Sequence, residues 1–345
     1  MRAIRFRMPC PPPRPGRAAR SLALLGLLAG GLGLWAPPAR AQYFGQNKVV
    51  YEAFRFQILH TPHFEVYYYP EEEEGARLAA KLAERWYWRH EQVFRRDLKG
   101  KQPLILYASS PQFQSTNVIA EQIGEGTGGV TEPLKRRIAL ALAGPLRETD
   151  HVIGHELIHA FQYDLARQGR PGTSYPGQAA EAIPLWFIEG MAEYFSLGPY
   201  DPHTAMWMRE AVRSKLPTIR KLDSPEYFPY RWGQALLAYL GGRYGNQAIV
   251  RLLRAGVTQT DFEQAIERTL RIKPEALSKA WHASLHEAYD SLLAKTRQPV
   301  RYGPVLGNWP SDPKRLVIDA LRRCGSAATV EEKRSDVIAR ERRVA

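Results

Sequence analysis

The stretch TDHVIGHELIHAFQYD, residues 149–164, sets histidines at 151, 155 and 159, with Glu156 directly after the second. Residues four apart stack along one face of a helix. An amphipathic helix ordinarily fills that face with aliphatic side chains. A face of imidazoles either buries costly polar groups or binds something. Within it, HELIH (155–159) fits the pattern H-E-x-x-H. Two histidines one turn apart can share a tetrahedral Zn²⁺. Glu156 is offset around the helix and can reach a water on the metal without ligating it. Zinc lowers the pKa of such a water towards 7, so that a carboxylate can take its proton. His151 lies one turn earlier. Three imidazoles along one straight helix stretch over about 12 Å, too far for one ion with bonds near 2 Å. His151 is therefore expected in a cleft or in packing, not on the metal.

A catalytic zinc site needs a third protein ligand and an open position. The next helical segment, PLWFIEGMAEYF (184–195), carries Glu189 and Glu193 four residues apart among Trp186, Phe187, Ile188, Met191, Ala192, Tyr194 and Phe195. Carboxylates buried without partners are costly, so their presence on an apolar helix invites a cation. Glu189 would complete a set with His155 and His159. Glu193, one turn on, would accept the outer N–H of a ligand histidine and fix its tautomer. The plainer alternative is a solvent-facing acidic pair on an amphipathic helix.

Outward from this centre the pattern predicts an α+β chain, strands first and helices later. HFEVYYY (63–69), PLILYAS (103–109) and RRIALALAG (136–144) read as strands. A helix is expected from EEEE (71–74) to about Leu98, with acids at its positive end. FQSTNVIAEQIGEGTGGVTEP (113–133) reads as loop. Helices are expected over 148–167, 184–197, 203–215, 230–244, 246–255, 259–270 and 274–294, with a Gly/Pro-rich connection at 168–183. Residues 42–296 form the expected domain, a sheet-rich lobe (42–167) followed by a helical lobe (168–296). The segment 297–345 lacks clear periodicity and is expected to be a loosely ordered basic tail.

The 345 residues are 44% apolar and 24% charged, an ordinary globular balance. Residues 1–41 combine seven Arg and no acid with the apolar run SLALLGLLAGGLGLW (21–35) and an A-x-A site at Ala39 and Ala41. This reads as a secretory signal peptide, and hence export to periplasm or medium with no stable membrane span after cleavage. The formal net charge of +13 resides in the ends, because residues 42–296 hold 30 Lys/Arg against 29 Asp/Glu. A nucleic-acid partner thereby loses its main support. Cys10 and Cys324 both fall outside the expected domain, so no disulfide framework is expected.

HExxH followed by a helix bearing W-x-x-E-G-x-A-E-Y (186–194) resembles the gluzincin metallopeptidases, which include thermolysin and the aminopeptidase N group. The bacterial secreted peptidase MA-like branch is the most similar, over roughly residues 125–245. The resemblance implies a zincin-like two-lobe fold, in which a small mixed sheet and active-site helix precede an α-helical lobe. It implies one Zn²⁺ on His155, His159 and Glu189, with Glu156 as catalytic base and Glu193 behind a ligand histidine. FPYRWGQALLAYLGGRYG (228–245) is similar to the stretch whose tyrosine donates its hydroxyl to the oxyanion. That role maps to Tyr230, with Tyr227 as the fallback and a core tyrosine as the plain alternative. GGVTEP (128–133) stands where aminopeptidases carry G-x-M-E-N-P, a strand that pairs with substrate backbone. Thr131 occupies the slot of the glutamate that holds a free N-terminus, and Glu132 comes one residue late. On a strand one residue reverses the face, which implies an endopeptidase or an unusual peptidase.

The leading expectation is an exported zinc peptidase that hydrolyses peptide or protein substrates. Its competitor is a catalytically weak zinc-binding envelope protein that holds peptides in the same cleft, against which an intact Glu156 argues. An accidental motif in a structural protein would bind no stoichiometric zinc.

Overall fold

The computed structural model describes residue 48 and residues 53–142, 144–167, 183–259 and 261–296. The expected leader, the connection 168–182, the tail 297–345 and both cysteines lie outside these residues. The described chain is α+β. Five strands form one mixed sheet: β1 (Gln57–His60), β2 (Phe64–Tyr68), β3 (Gln102–Tyr107), β4 (Gly129–Thr131) and β5 (Ile138–Ala141). Their order is β1-β2-β3-β5-β4. The centre is parallel, β2 with β3 and β3 with β5, and both edge strands run antiparallel to their neighbours.

Alternation along the central strands gives the sheet two apolar faces. Phe64, Val66, Leu104, Leu106, Ile138 and Leu140 turn towards the helices and join the main core. Tyr107 and Ala139 turn the other way, onto Tyr69, Phe113, Val118 and Ile123. β1 was not foreseen. Three of its four residues are exposed, so it shows no in-out alternation, as an edge strand need not. β4 was read as loop from its local pattern, because three half-buried residues are too short a run to show a period, whereas the resemblance placed a strand at 128–133.

Nine α-helices are present among the described residues: α1 (Glu73–Phe94), α2 (Ser110–Gln114), α3 (Leu146–Ala166), α4 (Leu185–Leu197), α5 (Pro202–Ala211), α6 (Pro229–Tyr244), α7 (Asn246–Thr258), α8 (Phe262–Leu270) and α9 (Pro274–Ala294). None is long and apolar enough to cross a membrane. α1 ends four residues before the expected Leu98. Arg95 takes a left-handed conformation (φ 52°) and its N–H closes on Glu91 O. The Leu98 N–H is then met by the Tyr87 hydroxyl at 2.9 Å. α5 likewise stops at Ala211 instead of 215.

α3 carries HELIH and is held between the sheet and its neighbouring helices. Trp86 of α1 lies against Gly154, where an added Cβ would fall 2.7 Å from the indole. The indole N–H donates to Asp150 at 2.7 Å, and Arg85 grips the same carboxylate. His90, 1% exposed, donates its Nε2–H to Gly154 O at 2.9 Å. α1 thus fixes α3 over the turn that precedes His155.

Burial holds the His90 pKa down at about 3, against about 6.5 for an ordinary histidine, despite the favourable bond to Gly154. As pH falls below about 6.5 the unfolded chain takes up a proton that the folded chain refuses, and stability is lost progressively until about pH 3. His90→Gln, which keeps a donor without a titrating ring, should lessen this loss. Between pH 7 and pH 4 the unmodified protein should lose more unfolding free energy than the variant, by on the order of 2–3 kcal/mol. Parallel curves in urea titrations at the two pH values would show that His90 plays no such part.

Candidate metal centre

α3 and α4 cross so that three side-chain atoms meet. His155 Nε2 lies 3.1 Å from His159 Nε2 and 3.2 Å from Glu189 Oε2, and His159 Nε2 lies 3.4 Å from the same oxygen. Two ligands with bonds of 2.0–2.1 Å at a tetrahedral angle stand about 3.3 Å apart. The triangle therefore has the dimensions of one face of a zinc tetrahedron.

The outer ring nitrogens decide the protonation of this face. His155 Nδ1 is 2.9 Å from Glu193 Oε1, and His159 Nδ1 is 2.8 Å from Gln162 Oε1. The Gln162 amide is oriented by its own Nε2–H, which donates to Ile188 O at 3.0 Å. Both acceptors can only accept, so each Nδ1 carries a proton, and each Nε2 turns a lone pair inward wherever its ring is neutral. Two imidazole lone pairs and a carboxylate oxygen thus converge on one point, an arrangement stable only around positive charge. One proton can satisfy a single pair of these atoms. A divalent cation satisfies all three, so the donor set fits zinc.

The electrostatics agree. Burial works against charge on His155, yet hydrogen bonds to Glu189 and Glu193 outweigh it and lift its pKa to about 10. His159 is also raised, because Glu189 overcomes the effect of burial. Burial would push the carboxyls up, but His159 and His155 hold Glu189 well below the usual range, and His151 and His155 hold Glu193 at about 2.

Glu193 is 2% exposed and is the hub behind the triangle. Its Oε1 also accepts from His151 Nε2 at 3.1 Å, and its Oε2 accepts from Arg231 at 3.1 Å. His151, His155 and Glu193 form a second cluster of donor atoms. There, however, two N–H groups share one carboxylate oxygen, and no ion is required. His151 stays out of the first triangle, as its spacing implied, but it braces Glu193.

Glu156, 6% exposed, lies on the same helix under edge strand β4. The Thr131 hydroxyl is 2.7 Å from Glu156 Oε2 and 2.9 Å from Glu156 O. Glycines make this approach possible. A Cβ on Gly129 would fall 2.8 Å from Glu156 Cγ, and one on Gly128 2.7 Å from Val152. Glu132 turns to its own hairpin, where it accepts from Leu134 N and Arg137 Nε. The one-residue offset does reverse the face.

Of the two tyrosines, Tyr230 joins the cluster. Its ring stacks on His155 at 5.7 Å and 16°. Burial and the charges of Glu189 and Glu156 raise its pKa well above the ordinary value, so the phenol keeps its proton. Tyr227 instead packs edge-on against Trp232. Neither a protein-family model nor a curated protein matches the chain.

Sequence reasoning missed Gln162, Arg231 and Asp201. Gln162 carries a local signal, because it follows His159 by three residues and so shares its helix face. Arg231 carries none, since its partners are distant in sequence. Its guanidinium bridges Glu193 and Asp201, and Asp201 caps α5 by accepting from Thr204 N at 2.8 Å.

α4 and α6 touch through backbone. A Cβ on Gly233 would lie 2.0 Å from Trp186 O and 2.6 Å from Gly190 Cα. Gly190 follows Glu189, and Gly233 follows Tyr230 by three residues, so this contact sets the spacing of carboxylate and phenol. Helix propensity alone would make Gly233→Ala stabilising by about 1 kcal/mol. The backbone clash should make it destabilising by about 1–3 kcal/mol or more. Gly242→Ala in the same helix meets nothing within 4 Å and should stabilise by roughly 0.5–1 kcal/mol. Equal shifts in the two denaturation midpoints would contradict this account.

Proposed function

We infer that the chain is an exported zinc metallopeptidase of zincin-like, two-lobe architecture, which hydrolyses peptide bonds in peptides or proteins. The observation that carries the reading is the triangle of His155 Nε2, His159 Nε2 and Glu189 Oε2, with both outer imidazole protons already committed. Glu156 beside it separates a peptidase from a mere zinc binder, which would need no base at that place. When bound to these three residues, zinc supplies a Lewis acid that polarises a carbonyl and acidifies a water near neutral pH.

The chain's own groups supply the remaining chemistry. Glu156 takes the proton of the attacking water and returns it to the leaving amine. The Thr131 hydroxyl holds the Glu156 carboxylate in place. Tyr230, kept protonated, donates its hydroxyl to the oxygen on which negative charge develops. Glu193, braced by His151 and Arg231, fixes the tautomer and orientation of His155. Edge strand β4 offers backbone groups to an extended substrate. The displaced acid, with Thr131 in its slot, favours internal cleavage over removal of N-terminal residues.

Purified protein should hold about one equivalent of zinc. A chelator should abolish cleavage of a peptide library, and added zinc should restore it. Glu156→Gln should keep the zinc and lose about 10²–10⁴-fold in kcat. Glu189→Ala should lose zinc and activity together. Stoichiometric zinc with no cleavage by the unmodified protein would favour the peptide-holding alternative, and absence of zinc would overturn both.

A further inference from the structure

Four rings form a continuous ladder from the surface to the metal centre. Trp207 of α5 packs on Phe228 at 5.7 Å, Phe228 stacks on Tyr230 at 5.0 Å, and Tyr230 stacks on His155 at 5.7 Å. The inner ring belongs to a residue that is 7% exposed, while Phe228 and Trp207 are 44% and 39% exposed. Scattered single apolar residues on a surface need no explanation, but adjoining aromatics that lead to a reactive centre do. Both outer residues sit on helices that are tied together near their starts. Phe228 is the residue at the start of α6. Arg231, three residues on, grips Asp201, which caps the start of α5, the helix that carries Trp207.

We propose that Phe228 and Trp207 form a side-chain subsite that selects aromatic or bulky apolar residues on one side of the scissile bond. The proposal rests on the peptidase reading. Its occupant follows from spacing and chemistry. Phe228 is a single ring step from Tyr230, so it meets the residue flanking the bond. The two steps out to Trp207 cover about three residues of extended chain at about 3.3 Å each. The rings are tilted by 29° and 36° along these steps. They offer both edges and faces, as aromatic side chains prefer. Two rings set at 36° do not make the single broad platform on which a puckered sugar ring would stack.

The test compares the unmodified zinc-loaded protein with Phe228→Ala and Trp207→Ala, and with Phe228→Leu and Trp207→Phe as milder changes. Matched thermal unfolding serves as the folding control. Paired peptides carry Phe or Gly at each of the three positions on either side of the cleaved bond. The unmodified protein should prefer Phe on one side. The Phe/Gly ratio of kcat/KM at the flanking position should fall at least about tenfold in Phe228→Ala and partly in Phe228→Leu, and the ratio two or three residues further out should fall in Trp207→Ala and partly in Trp207→Phe. The loss should sit in KM, since it removes binding common to ground and transition states. An unchanged ratio overturns the proposal. If the unmodified protein cleaves neither peptide, the peptidase reading fails, and calorimetric titration with the same peptides judges the subsite alone. Tighter binding of the Phe peptide that is lost in Phe228→Ala supports it, and equal or absent binding overturns it. Effects of these substitutions confined to oligosaccharide binding or self-association also overturn it.

Discussion

Three lone pairs aimed at one point are the constraint around which the chain is arranged. His155, His159 and Glu189 would repel one another at 3.1–3.4 Å without positive charge between them. Their orientation is enforced from outside, by Glu193 and Gln162 on the two Nδ1 protons. Neither acceptor stands alone. Glu193 is loaded with His151 and Arg231, and Gln162 is tied to the backbone of α4 one residue before Glu189. The same bonds that set the imidazole tautomers therefore also hold α3, α4 and α6 together.

The packing around this point serves one requirement, close approach without loss of register. Gly154 admits Trp86 against α3, and Gly128 and Gly129 let β4 lie over Val152 and Glu156. His90 anchors the turn before His155 through Gly154 O. The polar centre sits within an apolar core that runs from the sheet to α9. This low-dielectric setting makes its charges matter more than they would in water.

The sequence disclosed what local periodicity encodes. Histidine spacing on α3 and the paired carboxylates on α4 were readable because a helix face repeats every three to four residues. Their meeting was inferred from chemistry, and the structure brings them together. Central strands were readable from β-formers and apolar runs, whereas the edge strands were not: β1 is exposed and went unseen, and β4 is so short that only the resemblance pointed to it. Helix ends slipped where a backbone choice intervened, as at Arg95. The bracing of Glu193 by Arg231 and Asp201 was illegible, because it joins three helices at positions with no shared pattern. Tyr230 could be set apart from Tyr227 only by resemblance, and its stacking on His155 now supplies a physical reason.

Where α4 crosses α6, main chain rests on main chain at Gly190 and Gly233. No rotamer enters that separation, so it does not depend on which side chains fill the rest of the interface. Apolar exchanges around it can repack the interface without bringing a side chain between the two main chains. Gly190 and Gly233 are the two places where even a methyl group would push the helices apart.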